Sequence, residues 1–264
     1  MTLLLALGTN FWWASTDGSL WTFAHVSAVF FLVAALVEAS GSNRPWLVGI
    51  LVGLAGLSRL PVFLTFPFFA YMVTGGARDR KNVVRLGTFG LALAAMGVAY
   101  LAYNYGRYDT WRDMGYYHTQ YSSEPWFSEG RFDISYIPRH HNAIFFSGPV
   151  FSEEFPFFKP SKIQMGLFFT TPALLYAFNA PLRGLTMAAI VGILLTAVPL
   201  VTHGTTGWGQ FGYRFSLDML PLLAILVAAG MRQSLSPLAI GVILLSCGVN
   251  LWGTLSFNML DWAV

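Results

Sequence analysis

The sequence predicts an all-α fold, a polytopic transmembrane bundle of about seven to nine membrane helices, including short or broken ones, with one long outer loop. Hydrophobic residues make up 55% of the 264 residues and charged residues only 10%, so few side chains could cover a water-exposed surface. Aromatic residues make up 16%, which is typical of a chain with many anchors at the membrane interface. Several uncharged runs also approach the length of about 20 residues that a bilayer requires.

Apolar runs of two lengths predict the membrane segments. Four runs without formal charge are long enough to span a bilayer, and these are residues 19–37, 86–106, 184–203 and 235–258. The shorter runs need polar flanks or protein contacts at membrane depth, and these are residues 1–15, 46–58, 60–74, 166–180 and 219–231. Between two of them, Arg59 and Pro61 predict a helix break at Leu60, because proline disfavours helix at the preceding residue.

Basic residues in short loops predict the orientation. Loop 75–86 is the densest in basic residues and is predicted to be cytoplasmic; it holds Arg78, Arg80, Lys81 and Arg85. Alternation from this loop places outside the segments 14–18, 105–163 and 204–216. Residues 1–264 are predicted to form a single integral domain of the cell inner (plasma) membrane. Segment 105–163 is predicted to be an ordered, membrane-apposed outer loop, because its charges nearly balance and it is rich in aromatic residues.

Several function classes lack support. The net charge of +3 is scattered, so no nucleic-acid partner is predicted. The one cysteine, Cys247, excludes an intramolecular disulfide. The chain has no phosphate loop, nucleophile elbow or zinc-protease pair, and "GTTGWGQFG" lacks the dinucleotide-binding spacing. His140 and His141 are adjacent and therefore point in different directions, so no metal site is predicted.

Ionisable residues at membrane depth are the candidate functional groups, because they are costly there. His25 either bonds to a neighbouring helix or lines an outward-facing cavity. Arg59 either pairs with a structural carboxylate or binds an anion such as a lipid phosphate. Asp17 is favoured as an N-cap residue, with a catalytic or hydroxyl-orienting role as the alternative.

The stretch "GTTGWGQFGYRFSLDMLP" joins two apolar runs and carries two charges. Asp218 is expected in the first turn of the following helix, where the positive end of the helix dipole favours a carboxylate. Arg214 lies four residues earlier, at the spacing of an intrahelical ion pair, so it either pairs with Asp218 or faces an anionic headgroup.

Six stretches together resemble the bacterial GT-C membrane glycosyltransferases, relatives of the protein mannosyltransferases and of the lipid A aminoarabinose transferase. They occur in this order over nearly the whole chain: "FWWASTDGSLWTFAHVSAVFFLVAALVEA", "LVGILVGLAGLSRLPVFLTFPFF", "YNYGRYDTWRDMGY", "YIPRHHNAIFF", "GLFFTTPALLYAF" and "GWGQFGYRFSLDMLPLL".

The resemblance implies an enzyme with no cofactor that uses a polyprenyl-phosphate-linked sugar as donor at the outer membrane face. Its implied partners are membrane lipids and the polyprenyl-phosphate lipid. It places Arg59 and Arg214 near the donor phosphate, with Tyr136 and Arg139 closing the cavity. The substrate-binding candidates within it also include His25, Tyr213 and Asp218.

The chain departs from this family at its beginning. The main catalytic acid of the family lies in an outer loop after the first span, and the present chain begins at roughly the third span. Asp17 is therefore the remaining catalytic candidate. Three alternatives follow: an N-terminally truncated sugar transferase, either a fragment or mis-started form or one whose missing helices come from other membrane subunits; a catalytically inactive structural subunit of a larger membrane complex; or a small transporter or channel. The last is disfavoured because polar residues concentrate in the outer loops.

Overall fold

The computed structural model describes residues 1–77, 79–113, 124–232 and 236–264, and it is largely helical. Arg78, residues 114–123 of the predicted outer loop and Leu235 lie outside the described residues. The α-helices are α1 (Thr2–Leu7), α2 (Phe11–Asp17), α3 (Leu20–Ser40), α4 (Pro45–Ser58), α5 (Phe66–Thr74), α6 (Arg80–Tyr108), α7 (Ile137–Phe145), α8 (Leu167–Thr170), α9 (Gly184–Val201), α10 (Leu220–Gly230) and α11 (Pro237–Asn258). The described 3-10 helices are Leu60–Thr65, Pro125–Phe127, Ile134–Tyr136, Pro172–Asn179 and Arg214–Met219.

Four helices are long and apolar enough to cross a membrane, and they coincide with the four long runs of the sequence. They are α3, α6, α9 and α11. Helix α3 continues past its uncharged run to Ser40, and α6 extends past its run at both ends. Polar residues cap the starts of both helices. Ser19 accepts a hydrogen bond from the Thr22 amide at the start of α3, and Asp79 accepts one from the Asn82 amide at the start of α6.

The predicted helix break beside Arg59 is confirmed. Helix α4 ends at Ser58, and Arg59 has an extended backbone with φ −146° and ψ 105°. The chain then forms the 3-10 helix Leu60–Thr65 before α5 begins. The break turns the Arg59 side chain out of the regular helical path, so that it can reach other elements at this end of α4.

Helix α4 lies in the centre of the packing and contacts both α3 and α6. Small residues allow α6 to approach closely: a Cβ atom at Gly49 would lie 2.5 Å from the Phe89 carbonyl oxygen. Buried apolar residues from α3, α4, α5 and α10 fill the space beside it, including Leu32, Val52, Phe68 and Leu222. This core holds the helix ends that carry the charged residues in fixed positions.

The polar helix ends gather at two opposite ends of the bundle. At the basic end, which holds Arg44, Arg80, Lys81 and Arg85, the Arg85 guanidinium donates to the carbonyl oxygens of Val73 and Asn43 at 2.9 and 2.7 Å. The other end, here called the loop end, holds residues 202–219, the start of α3 and the end of α11. There the Asn258 side chain donates to Thr16 Oγ1 at 2.8 Å.

Segment 105–163, the predicted outer loop, is called the outer segment below, and its described residues contain one short hairpin that the all-α prediction did not include. Strand β1 (Val150–Phe151) pairs antiparallel with β2 (Phe158–Lys159), with Val150 opposite Lys159 and Phe151 opposite Phe158. Earlier in the segment, the Asp133 amide donates to the Thr202 carbonyl at 2.8 Å. The described part of the outer segment is therefore held to the loop end.

Candidate functional site

A buried carboxylate, Asp218, lies at the centre of the loop end. His25 Nδ1 lies 2.7 Å from its Oδ1 atom, and Arg59 Nη2 lies 3.1 Å from its Oδ2 atom. Arg59 Nε adds two longer contacts of 3.3 Å, one to each oxygen. Asp218 is fully buried and His25 is 1% exposed, so the two oxygens take their hydrogen bonds from protein groups.

Three separate elements bring this cluster together. His25 comes from the second turn of α3, Arg59 from the break after α4, and Asp218 from the 3-10 helix Arg214–Met219. The predicted pairing of Arg59 with a structural carboxylate is therefore present, and so is the predicted bond from His25 to a neighbouring element. Burial of two charges is tolerated here because each has a hydrogen-bonded partner of opposite charge or a polar neighbour.

The glycine-rich stretch before Asp218 has a conformational reason for its composition. Gly207 and Gly212 have φ values of +102° and +73°, a region that residues with a Cβ rarely adopt. A Cβ atom on Gly212 would also lie 3.3 Å from Thr170 Oγ1. The glycines thus allow the loop to fold back tightly over the helices. This path places Arg214 and Asp218 at the loop end of the bundle.

Phe215 is the aromatic centre of the loop end, and no sequence pattern had indicated it. The Arg59 and Arg214 guanidinium carbons lie 5.6 and 5.8 Å from its ring centroid. Both distances fall within the range of a cation–π interaction. Three imidazole rings also lie about 6 Å from it, and they belong to His25, His140 and His203. Two positively charged side chains thereby contact the same ring, and one of them, Arg59, is paired with Asp218.

A second hydrogen-bonded chain runs through His140. Its Nε2 atom lies 2.8 Å from the His203 carbonyl, which can only accept, so Nε2 carries the proton. In the neutral ring Nδ1 is then an acceptor, and the Tyr213 hydroxyl donates to it at 2.8 Å. Burial lowers the pKa of His140 to about 4, in agreement with a neutral ring. Burial, aided by the negative charge of Asp218, raises the pKa of Tyr213.

Three arginines act on His203 at the loop end. Burial is the main cause of a lowered pKa at His203, and the charges of Arg59, Arg131 and Arg214 lower it further. Each of these arginines is therefore close enough to disfavour another positive charge. The same field would favour a bound anion.

Arg214 lies at the edge of the cluster. Its Nη1 atom donates to the Trp208 carbonyl at a long distance of 3.4 Å. The sequence had offered an intrahelical pair between Arg214 and Asp218, based on the spacing of an α-helix. The structure instead forms a 3-10 helix over Arg214–Met219, in which residues four apart lie on different faces. The observed hydrogen bonds of Asp218 go to His25 and Arg59.

Tyr136 and Arg139 hold the outer segment against the loop end. The Tyr136 hydroxyl donates to the Gly130 carbonyl at 2.8 Å and accepts from the Glu129 amide at 2.9 Å. Arg139 donates to the Gly204 carbonyl, and its guanidinium carbon lies 5.2 Å from the Tyr136 ring centroid. These contacts are internal to the protein, and they fix the segment that covers this end.

Asp17 lies farther out at the same end. The prediction that it is the N-cap residue of α3 is wrong, because Ser19 holds that position. Asp17 is instead the last residue of α2. The Asp17 carboxylate accepts from the Ser19 amide at 3.3 Å and from Thr22 Oγ1 at 3.0 Å. Thr22 and His25 are three residues apart in α3 and share a face, so Asp17 lies about one turn outward from the cluster.

No protein-family model, curated protein or solved structure matches this chain significantly. Among the described residues, no group of three or more His, Cys, Asp or Glu side chains has the arrangement of a metal site. His140, one of the adjacent histidines in the sequence, is instead fully buried and hydrogen-bonded at both nitrogens.

Proposed function

We propose that this chain is a polyprenyl-phosphate-sugar-dependent glycosyltransferase-like membrane protein, with its donor phosphate bound at the loop end. The observation that carries the proposal is that the guanidinium groups of Arg59 and Arg214 both contact the Phe215 ring, with Asp218 paired to Arg59. A phosphate is an effective ligand for such a site, because guanidinium groups bind its oxygens with paired hydrogen bonds.

An apolar crevice supports a lipid-linked ligand in particular. Its volume is about 260 Å³, and it lies between α9, α10 and the 3-10 helix Pro172–Asn179. Ile193 and Leu223 line this crevice and also pack against the cluster that contains Tyr213 and Phe215. The crevice and the arginine site are therefore neighbours. In the proposal, the isoprenoid chain occupies the crevice while the phosphate lies near Arg214.

The bundle supports a multi-pass arrangement around this site. Four helices are candidate spans, and in the proposal the shorter helices beside them bring the number of membrane helices to seven to nine. In the proposal the basic end faces the cytoplasm of a bacterial inner membrane and the loop end faces outward.

Asp17 is the proposed catalytic base. It is exposed, it lies at the outer rim of the cluster, and its carboxylate can accept a proton. In the transfer, an acceptor hydroxyl oxygen forms a bond to the anomeric carbon of the sugar. The bond from that carbon to the phosphate oxygen breaks, polyprenyl phosphate leaves with the electron pair, and Asp17 takes the hydroxyl proton.

Arginine variants at opposite ends of the bundle test the binding step. Arg214→Ala should weaken binding of a polyprenyl phosphate to the purified protein in nanodiscs by about tenfold or more, as expected for the loss of one charged hydrogen-bonding group. Arg183→Ala, at the other end of α9, is the matched control and should bind normally. Equal binding by both variants would remove Arg214 from the site.

The transfer step is tested separately. Asp17→Asn should lower sugar transfer from a polyprenyl-phosphate donor by about 10²-fold or more while leaving binding of the polyprenyl phosphate unchanged. A normal transfer rate in this variant would exclude Asp17 as the base. Absence of transfer by the unmodified chain, with lipid binding intact, would favour a binding protein.

A second candidate is a catalytically inactive structural subunit of a larger membrane complex, and α6 favours it. Only 6% of the apolar window of α6 is buried, compared with 28–33% in the three other candidate spans. Such a surface can face lipid or a membrane subunit. Stoichiometric copurification with a larger membrane complex, together with no binding of polyprenyl phosphate, would support this candidate over the enzyme.

A further inference from the structure

The hairpin formed by β1 and β2 exposes an unusual number of aromatic side chains. Phe151, Phe155 and Phe157 are 79%, 72% and 61% exposed. They lie within eight residues of chain, on an element with only two paired positions in each strand. Large exposed apolar groups concentrated on so small an element indicate a surface that another apolar medium covers.

The position of the hairpin along α11 indicates what covers these aromatic side chains. Phe158 packs against Trp252 of α11, with ring centroids 4.9 Å apart. Trp252 lies six residues before Asn258, the last residue of α11, which corresponds to about 9 Å along the helix axis. The hairpin therefore lies against the side of a candidate membrane span, inward from the end of that helix.

The surface of α11 beside the hairpin is itself apolar and exposed. Leu244, Leu245 and Leu251 on this helix are 42–56% exposed, as expected for side chains that face lipid. The hairpin aromatic residues continue this surface toward the loop end. Phe155 also contacts Trp262, beyond the end of α11, with ring centroids 5.4 Å apart. Aromatic residues at the end of a span are typical of the interfacial belt.

Backbone and charge limit how deep the hairpin lies. Its strands are short and their outer edges expose unpaired backbone groups, which are not tolerated in contact with hydrocarbon. Glu153 and Glu154 at the turn are exposed and are also too costly to place in the hydrocarbon core. Both constraints are met where headgroups and water are within reach.

We infer that the Val150–Lys159 hairpin is an interfacial anchor that inserts Phe151, Phe155 and Phe157 into the lipid leaflet at the loop end, with Glu153 and Glu154 among the headgroups. The occupant of this apolar surface is the lipid leaflet, because the surface is continuous with the exposed face of α11. This inference rests on the membrane placement of α11 and is independent of the proposed enzymatic activity.

The single native cysteine makes a site-specific test practical. In a Cys247→Ala background, single cysteines replace Phe151, Phe155 or Phe157 and are labelled with an environment-sensitive nitrobenzoxadiazole dye. The proteins are placed in phosphatidylcholine vesicles that contain lipids with nitroxides near the headgroup or near the acyl-chain end. Glu129→Cys, on an exposed part of the outer segment, is the aqueous control.

Labels at the three hairpin positions should be quenched at least twofold more by the shallow nitroxide than by the deep one, and iodide should quench them less than the Glu129 control. Strong iodide quenching without lipid quenching at all three positions would overturn the inference. Protection from both quenchers would also overturn it, because a protein would then cover the surface. Elution and helicity matching the background protein verify that each variant is folded.

Discussion

Two arginine–carboxylate ion pairs lie at opposite ends of the bundle, and they differ in how far they are buried. Burial changes how much the loss of such a pair costs the folded protein. At the basic end, Arg44 donates to Glu38 through Nε and Nη2 at 2.9 and 2.8 Å. At the loop end, the corresponding distances from Arg59 to Asp218 are longer, at 3.1–3.3 Å. The Arg44 side chain is 52% exposed, whereas that of Arg59 is 11% exposed and Asp218 is fully buried.

The difference shows that the shorter hydrogen bonds do not identify the ion pair whose loss would destabilise the protein more. The pair of Arg44 and Glu38 joins residues six apart and closes the turn between α3 and α4. The Glu38 side chain is 11% exposed, but water reaches the Arg44 guanidinium and competes for it. The pair of Arg59 and Asp218 joins residues 159 positions apart and is sheltered from water. Removing either buried partner leaves a charge with poor solvation.

The largest expected effect follows from removal of the buried carboxylate. Asp218→Leu should lower the free energy of unfolding by about 3–5 kcal/mol, because Arg59 loses its anionic partner in a buried position. The measurement is unfolding in mixed detergent micelles, followed by circular dichroism. A loss no larger than that of an exposed substitution would show that water or another group reaches Arg59.

A double substitution separates the charge effect from the packing effect. Arg59→Met combined with Asp218→Leu should be more stable than Asp218→Leu alone, because no charge is then left buried without its partner. The same unfolding measurement gives the coupling between the two positions. Strictly additive losses would contradict a direct interaction between them.

A smaller, pH-dependent effect is expected at His140. Its pKa is about 4 in the folded protein, below the ordinary value of 6.5, so the unfolded chain binds more protons between these values. The stability from neutral His140 is fully present above about pH 6.5 and is lost as the pH falls toward 4. His140→Gln should therefore show a shallower decline of melting temperature between pH 7 and pH 4.5. An identical decline would assign the effect to other groups.

The smallest effect is expected at the basic end. Glu38→Gln should change the melting temperature only slightly, since Arg44 is solvated without its partner. Added salt should reduce the difference further, because exposed charges are screened. A loss as large as that of Asp218→Leu would remove the distinction between the two pairs.

The sequence predicted the four long apolar helices and the helix break, but only part of the site. Long uncharged runs define the spans without knowledge of their neighbours, and Pro61 acts on the adjacent peptide, so both are local signals. The contact between His25 and Asp218 joins residues 193 positions apart and depends on how the helices pack. Arg214 and Asp218 are four residues apart, which would make them neighbours on an α-helix. The chain forms a 3-10 helix there, so the expected pairing does not follow from the spacing.

Phe215 and the hairpin aromatic residues were missed for a related reason. The chain has 23 Phe residues, so one more beside an arginine carries little information by itself. Only the structure distinguishes Phe215, which is buried beside two guanidinium groups, from Phe155, which is exposed at the end of a span. Tertiary position gives these identical side chains different roles.

In the proposed function, the arginine residues of the loop end recognise the phosphate of a lipid. The most direct test compares binding of a polyprenyl phosphate with binding of the uncharged polyprenol of equal length, measured by native mass spectrometry of the protein released from identical nanodiscs. The phosphate form should bind at least about tenfold more tightly, equivalent to about 1.4 kcal/mol. Equal affinity for the two lipids would contradict the claim.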